Sequence, residues 1–368
     1  MINGIPVGMR TDVYTISELQ DFIATEKYRN SGNIPVSPER ARSYAANPRV
    51  EPDMPVLFTL TDQDRIVAYR TLLPDQLFGK DGLVRFAWLS GNFVDPAYRR
   101  KGLSTQLFNT VEESWQGKLM YTNYAPASRA VYNKTGVFKE FLVRPGKRYY
   151  LRSALYPLLR DRVRFQGLLK FSDRFLNGIH DMWIAGSDYP VDPAIKTEAI
   201  KDPDTELSAL IVESSRGSLF QRAVEEFKWI RDHSWITSRD AEILPGKYQF
   251  TRRVEQSYSQ WFKLSNDKGT AFLWITVVND KCSVPYFFQD DMRLTIAARQ
   301  IVFNTMIGYR CSHITIRDQD LGPVLGTKGN PFLFSKMMPQ RYYAHKEIAD
   351  MIPFDPKVFD GDGDCVFT

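Results

Sequence analysis

Three consecutive cations, Arg99, Arg100 and Lys101, stand directly before Gly102 and a helix-patterned run, in the stretch VDPAYRRKGLSTQLFNTVEE. Cations ahead of a helix start are unfavourable by themselves, because the helix dipole already places partial positive charge there. They become favourable when an anion arrives. The first N–H groups of a helix have no intrahelical acceptor and point outward together. A glycine, lacking Cβ, lets a ligand approach that backbone, and a pyrophosphate suits such a ring of donors. The run therefore reads as a diphosphate cradle, or else as three surface cations that precede a helix. It is neither Gly-x-Gly-x-x-Gly nor Gly-Lys-Ser/Thr, so it indicates neither a dinucleotide fold nor a nucleotide-hydrolysing loop.

The elements around the cradle can be read from periodicity. TISELQDFIATEKY predicts a helix, with Ser17 and Gln20 at capping-box spacing. PVLFTL and RIVAYRTLL predict antiparallel strands. LVRFAWLSGNFV predicts a third strand interrupted at Ser90-Gly91, where the glycine points to a bulge or a close backbone approach. Leu103, Leu107 and Val111, broadened by Phe108 and Trp115, give the helix after Gly102 its apolar face. The strand KLMYTNYA, the helix PASRAVYNKT stopped by Gly136, and the strand VFKEFLVRP complete a mixed α/β domain over residues 1–145.

Residues 146–199 form a basic and aromatic stretch, expected to be a helical connector between domains whose arginine stems cover apolar surface. Residues 200–350 repeat the coarse order of helix, antiparallel strands, helix and strand, which predicts an internal structural repeat. Residues 351–368 are acidic. Their DGDGDC opens like a calcium loop but lacks the later ligands, so a solvated tail is expected.

Two blocks, VDPAYRRKGLSTQLFNTVEE and YTNYAPASRAVYNKTGVFK, resemble the GCN5-related N-acetyltransferase (GNAT) superfamily. The family's acetyl-CoA loop, Arg/Gln-x-x-Gly-x-Gly/Ala, is matched by Arg99, Gly102 and Ser104, the serine replacing the usual glycine or alanine. The second block matches at Asn123, Ser128, Tyr132 and Gly136, with Val137 inserted before Phe138. The whole chain is similar to bacterial proteins that pair two such domains. The resemblance implies an α/β fold with a mixed central sheet of the acyl-CoA N-acyltransferase type, followed by a related, degenerate α/β domain. The second domain has no counterpart of RRKG. Asp290 and Asp291 stand near the start of its corresponding helix, where carboxylates would repel a pyrophosphate.

The resemblance also implies the chemistry: transfer of an acetyl group from acetyl-CoA, as co-substrate, directly to a primary amine. Backbone groups of Phe93 and Val94 would meet the thioester and the pantetheine arm. The turn from Arg99, Arg100, Lys101 and Gly102 to Leu103 and Ser104 would hold the diphosphate. Asn123 would bond the cofactor arm or order its loop. Tyr132 would protonate the leaving thiolate as general acid, or else is a packing aromatic. No general base is apparent. The strand from Leu83 to Val94 has no carboxylate, Ser90 alone is too weakly basic, and Glu112 and Glu113 are expected to face solvent.

A non-catalytic CoA-binding or sensor protein and an aminoacyl-tRNA-dependent transferase are the competing readings. The distinct cradle argues against the latter, because a charged tRNA lacks CoA's pyrophosphate.

The remaining composition narrows partners only weakly. The chain has 48 basic and 43 acidic residues, a net +5, which does not call for nucleic acid. A small-molecule or sugar amine is the expected acceptor, bound by a monomer or homodimer. Cys282, Cys311 and Cys365 form no CxxC, and His180, His233, His313 and His345 have no ligand spacing, so no metal is expected. Reduced cysteines, an N-terminus without a signal-peptide pattern and no apolar run of bilayer length lead to an expected cytoplasmic location. Trp229, Trp235, Trp261 and Trp274 are expected in the core.

Overall fold

A computed structural model describes residues 9–122, 126–187, 189–238 and 252–367. The first half begins with β1 (Met9–Thr15), the helices α1 (Ile16–Ala24), α2 (Glu26–Asn30) and α3 (Pro38–Ala45), then β2 (Pro55–Asp62), β3 (Arg65–Gly79) and β4 (Gly82–Val94). It continues through α4 (Leu103–Ser114), β5 (Leu119–Thr122), α5 (Pro126–Thr135), β6 (Phe138–Arg144) and β7 (Lys147–Tyr150). The capping box that starts α1 uses Thr15 and Glu18 rather than Ser17 and Gln20. Thr15 sits where β1 ends, so its hydroxyl meets the first free N–H groups, and the Glu18 carboxylate returns to the Thr15 N–H at 2.9 Å.

A short helix α6 (Leu155–Leu159) and a long one, α7 (Gln166–Ala185), follow. The second half runs β8 (Lys196–Ile200), α8 (Thr205–Ser215), α9 (Val224–Asp232), β9 (Ile236–Ser238), β10 (Arg252–Val254), β11 (Ser257–Ser265), β12 (Thr270–Val278) and β13 (Lys281–Gln289). It ends with α10 (Met292–Gly308), β14 (His313–Ile316), α11 (Leu321–Leu325), β15 (Phe334–Met337), β16 (Gln340–His345) and α12 (Lys346–Ala349).

Apart from β9 and β10, which pair with each other, the described strands form two seven-stranded sheets, β1-β2-β3-β4-β5-β16-β6 and, read from the matching edge, β8-β11-β12-β13-β14-β7-β15. The orders correspond position by position, including a parallel pair at β4–β5 and at β13–β14. The expected repeat is therefore present as architecture. In the sixth position each half has lent a strand to the other. β16 completes the first sheet, and β7 the second. A linear division near 145 and 200 does not capture this exchange. It works because residues 138–150 and 334–345 pair antiparallel along their whole length, passing from one sheet into the other.

The layers follow the apolar faces. α4 and α5 cover the outer face of the first sheet over Leu72, Leu107, Phe108 and Tyr132. α10 covers the outer face of the second over Leu273, Val302 and Met306. The inner faces share one core, in which Tyr69 and Trp88 of the first half meet Phe227, Trp274 and Tyr286 of the second. All four tryptophans assigned to the core are buried.

A buried ionic network crosses the same layer. Asp75 accepts from Arg49 at 2.9 Å, Arg222 at 2.7 Å and the Trp88 indole at 3.0 Å, while Arg222 also reaches Asp362 at 3.1 Å. The acidic tail is accordingly folded into the protein rather than solvated. Asp362 and Phe367 are buried, and Phe367 stacks on Trp235 with ring centroids 4.6 Å apart.

Candidate functional site

β4 is one continuous strand, and the interruption expected at Ser90-Gly91 is a bulge. Its register against β3 shifts between Thr71 and Leu72, leaving Ser90 as the extra residue. Its pairing with β5 stops at Trp88↔Met120, so the two strands splay beyond that point. Asp95 N–H bonds the Val67 carbonyl at 2.8 Å. Counting back by the two-residue alternation of an antiparallel ladder, Phe93 also turns its backbone groups to β3, and Val94 and Asn92 turn theirs to the splayed edge. Of the two expected backbone contacts, Val94 faces the opening. Phe93 instead stacks its ring on Tyr69 at 5.1 Å, and Asn92 takes its place at the edge.

The turn after β4 has the geometry of an anion cradle. Gly102 is the N-cap of α4 at φ 80° and provides no side-chain cap. A Cβ built on it would meet nothing within 4 Å, so the space above it is open. Among the described residues, the N–H groups of Leu103 and Ser104 have no acceptor, while Thr105 and Gln106 both bond the Gly102 carbonyl. Arg99, Arg100 and Lys101 are exposed, and none is ion-paired with a described residue. Arg99 Nε reaches the Val94 carbonyl at 3.2 Å, and Lys101 stands over the Tyr98 ring at 4.7 Å.

The corresponding helix of the second half is closed in the same place. Asp291 caps α10 by accepting from Arg293 N–H at 3.0 Å, which holds its carboxyl down at about 2, and Asp290 accepts from Thr270 N–H at 2.7 Å. The Asp291 carboxylate occupies the Arg293 N–H, the counterpart of the Ser104 N–H that the first half leaves free, and Asp290 adds a second negative charge beside it.

Adjacent residues of β3 divide the site between two faces. Arg70 points to the α4 side. It is fully buried, donates to the Tyr132 hydroxyl at 2.9 Å and lies 3.5 Å from Ser104 Oγ. Ser104 in turn accepts from the Asn92 amide at 3.1 Å. Among the described residues Arg70 has no carboxylate partner, and its Nε is unpaired. Tyr132, buried under Tyr121 and Phe138, is neither a surface aromatic nor free to rotate.

Thr71 points to the other face, where it accepts from Arg40 at 3.0 Å. Arg40 also donates to Ser90 Oγ at 2.8 Å and lies flat on Trp235 at 4.0 Å. Ser90 donates to Asp364 Oδ2 at 2.5 Å. Burial raises the Asp364 carboxyl above its ordinary range, against the lowering effects of the Ser90 bond and the Arg40 charge.

A carboxylate missing from the strand itself is thus supplied by the tail, and the sequence reading missed it. Glu112 is not simply solvent-facing, since it bonds His345 Nε2 at 2.8 Å. Asn123 lies outside the described residues. Among the described residues no group of three or more His, Cys, Asp and Glu could hold a metal ion, and no helix is long and apolar enough to cross a membrane.

The family model for the Acetyltransferase (GNAT) family matches residues 18–137, the segment that builds the splayed strands and the cradle. The fold is that of the GNAT superfamily, present twice. Solved structures similar in fold align with both halves of the chain. One is a conserved Enterococcus faecalis V583 protein of unknown function, described as a probable N-acyltransferase. It is 8% identical, with a TM-score of 0.51, and the match covers 93% of this chain and 74% of that one. Another is Saccharomyces cerevisiae N-myristoyltransferase with bound myristoyl-CoA, 10% identical, with a TM-score of 0.50, covering 93% and 83%. No curated protein matches the chain. The GNAT fold in general supports acyl-CoA-dependent transfer.

Proposed function

We propose that the first half transfers an acetyl group from acetyl-CoA directly to a primary amine, with Tyr132 as general acid and Asp364 as general base. The observation that carries this reading is that the two groups approach one splayed strand pair from opposite faces, beside an open helix start. The diphosphate would sit on the Leu103 and Ser104 N–H groups, with Arg99, Arg100 and Lys101 around it. These donors and cations fit it because nothing else in the described chain neutralises them. The pantetheine arm would follow the edge of β4 along Val94 and Asn92.

The amine nitrogen attacks the thioester carbonyl, forming the amide bond as the carbon–sulfur bond breaks. Its proton passes to Asp364, held by Ser90, and the departing thiolate takes a proton from Tyr132, whose hydroxyl Arg70 fixes in place. A covalent enzyme intermediate is disfavoured. Cys282 and Cys311 are buried in the core of the second half, away from the strand edge and the helix start.

Beyond the tail, Cys365 and Phe367 border a cavity of about 470 Å³ over the second sheet, where Ser259, Thr276, Ser283 and Thr315 line one wall. These hydroxyls suit a polar, sugar-like acceptor, and Arg148, Arg231, Lys281 and Arg317 on the same lining favour one that also carries an anionic group. Replacing Tyr132 with Phe tests the assignment. Thiol release from acetyl-CoA across a panel of amines should fall by about 10²-fold or more, with acetyl-CoA binding retained. Undiminished turnover would rule out Tyr132 as the acid.

A further inference from the structure

Helix α7 carries an apolar face that no described part of the chain covers. Phe165, Leu168, Phe171, Phe175, Met182 and Trp183 are between 56% and 72% exposed. Phe165 is the N-cap, Leu168, Phe171 and Phe175 follow at three- and four-residue spacings, and Met182 and Trp183 come seven and eight residues after Phe175, all along one side of a helix whose 20 residues are about 30 Å long. Leu169, His180 and Ile184, on the other side, are buried. The apolar surface continues across a shallow groove of about 450 Å³ onto Leu333 and Phe334 at the edge strand β15. The sequence led us to expect this connector to be packed between domains, but its largest side chains face outward.

Charge around the face identifies what it fits. Arg162, Arg164, Lys170 and Arg174 are exposed and have no carboxylate partner among the described residues; Arg160 has only Asp161 at 3.8 Å. The acids of α7 are already engaged. Asp173 accepts from Ser153 Oγ and from the N–H groups of Leu155 and Tyr156, and Asp181 pairs with Arg152 and Arg310. A second copy presenting the same face would bring these cations no free carboxylate from its own α7. An amphipathic helix with Phe, Trp and Leu on one side and free cations beside them is the form that lies in a lipid interface. α7 is not apolar enough to span a bilayer.

We propose that α7 docks this protein on the surface of an anionic phospholipid bilayer, with its apolar side chains among the acyl chains and its cations at the phosphate headgroups. The inference stands independently of acyl transfer. The test is co-sedimentation of the full chain with vesicles of phosphatidylcholine, alone or with phosphatidylglycerol. The chain should partition onto the anionic vesicles, and added salt should release it. Replacing Arg162 and Arg164 together with Gln should lower partitioning roughly thirty-fold, at about five-fold per cation. Replacing Phe171 and Phe175 with Ser should lower it by more than about ten-fold, while the melting temperature holds because both rings are already exposed.

The proposal is overturned if neither vesicle binds the chain, or if binding ignores the cations. It is also overturned if sedimentation velocity without lipid shows a dimer that the Phe171→Ser substitution dissociates, since the face would then belong to a second copy.

Discussion

Gly102→Ala separates a phosphate cradle from a merely tight turn. Gly102 sits at φ 80° and Gly217, at a turn in the second half, at φ 74°, and a Cβ on either would meet nothing within 4 Å. Alanine at either position therefore costs only the left-handed backbone conformation, about 1–2 kcal/mol. Against a total stability of roughly 5–15 kcal/mol, both variants should remain folded and lose similar amounts in urea titrations. They should differ with ligand. At Gly102 the new methyl occupies the space through which a diphosphate reaches the Leu103 and Ser104 N–H groups, so it clashes only when the ligand is bound. Calorimetric titration with acetyl-CoA should show affinity lowered at least about ten-fold, or 1.4 kcal/mol, for Gly102→Ala and unchanged for Gly217→Ala. Equal affinity in the two variants would refute the cradle.

Three further outcomes follow from the tail and the shared core. Asp364→Asn should lower turnover by about 10²-fold or more without destabilising the protein at neutral pH. Burial raises this carboxyl's folded pKa, so its ionisation penalises the fold as pH climbs from about 3.9 through the raised value, and asparagine removes that penalty. Turnover of the unmodified protein should rise with pH through the same window. Asp75 has the opposite sign. Burial alone would raise it, but Arg222 and Arg49 outweigh burial and lower it, so its contribution is present above about pH 4 and is lost as pH falls through its folded value. Asp75→Asn leaves two buried guanidinium groups short of a partner and should cost about 3–5 kcal/mol in urea unfolding. Phe367→Ala, emptying the space between Trp229 and Trp235, should cost about 3–5 kcal/mol by the same measurement.

What the sequence made legible is local. Arg99 to Ser104 stand together in the chain, and the chemistry of a helix start depends only on its first few residues, so the open, cation-flanked turn could be read directly. The bulge at Ser90 was signalled by Gly91 in a strand, and the repeat by the order of elements. The alternation along β4 would also have placed Val94 and Asn92 on one side and Phe93 on the other, had the β3 register been known. The proposed base was not legible because Asp364 meets Ser90 across 274 positions of chain, and an Asp in an acidic terminus reads as solvated until Phe367 is seen buried beside it. Arg40 and Arg70 carry no motif. Each looks like an ordinary surface arginine, and only the sheet brings one to Ser90 and the other to Tyr132. The orientation of α7 was missed for a related reason, since its amphipathic pattern shows that a face is apolar but not whether that face turns inward.

The reciprocal loan of β7 and β16 also bears on how the chain is made. The first sheet cannot close until His345 has left the ribosome, after every strand of the second sheet has been made. The amino-terminal part must therefore wait through synthesis of the second half with a gap beside β6. A gene cut in two between the halves should yield fragments that are each insoluble alone and recover activity only when produced together.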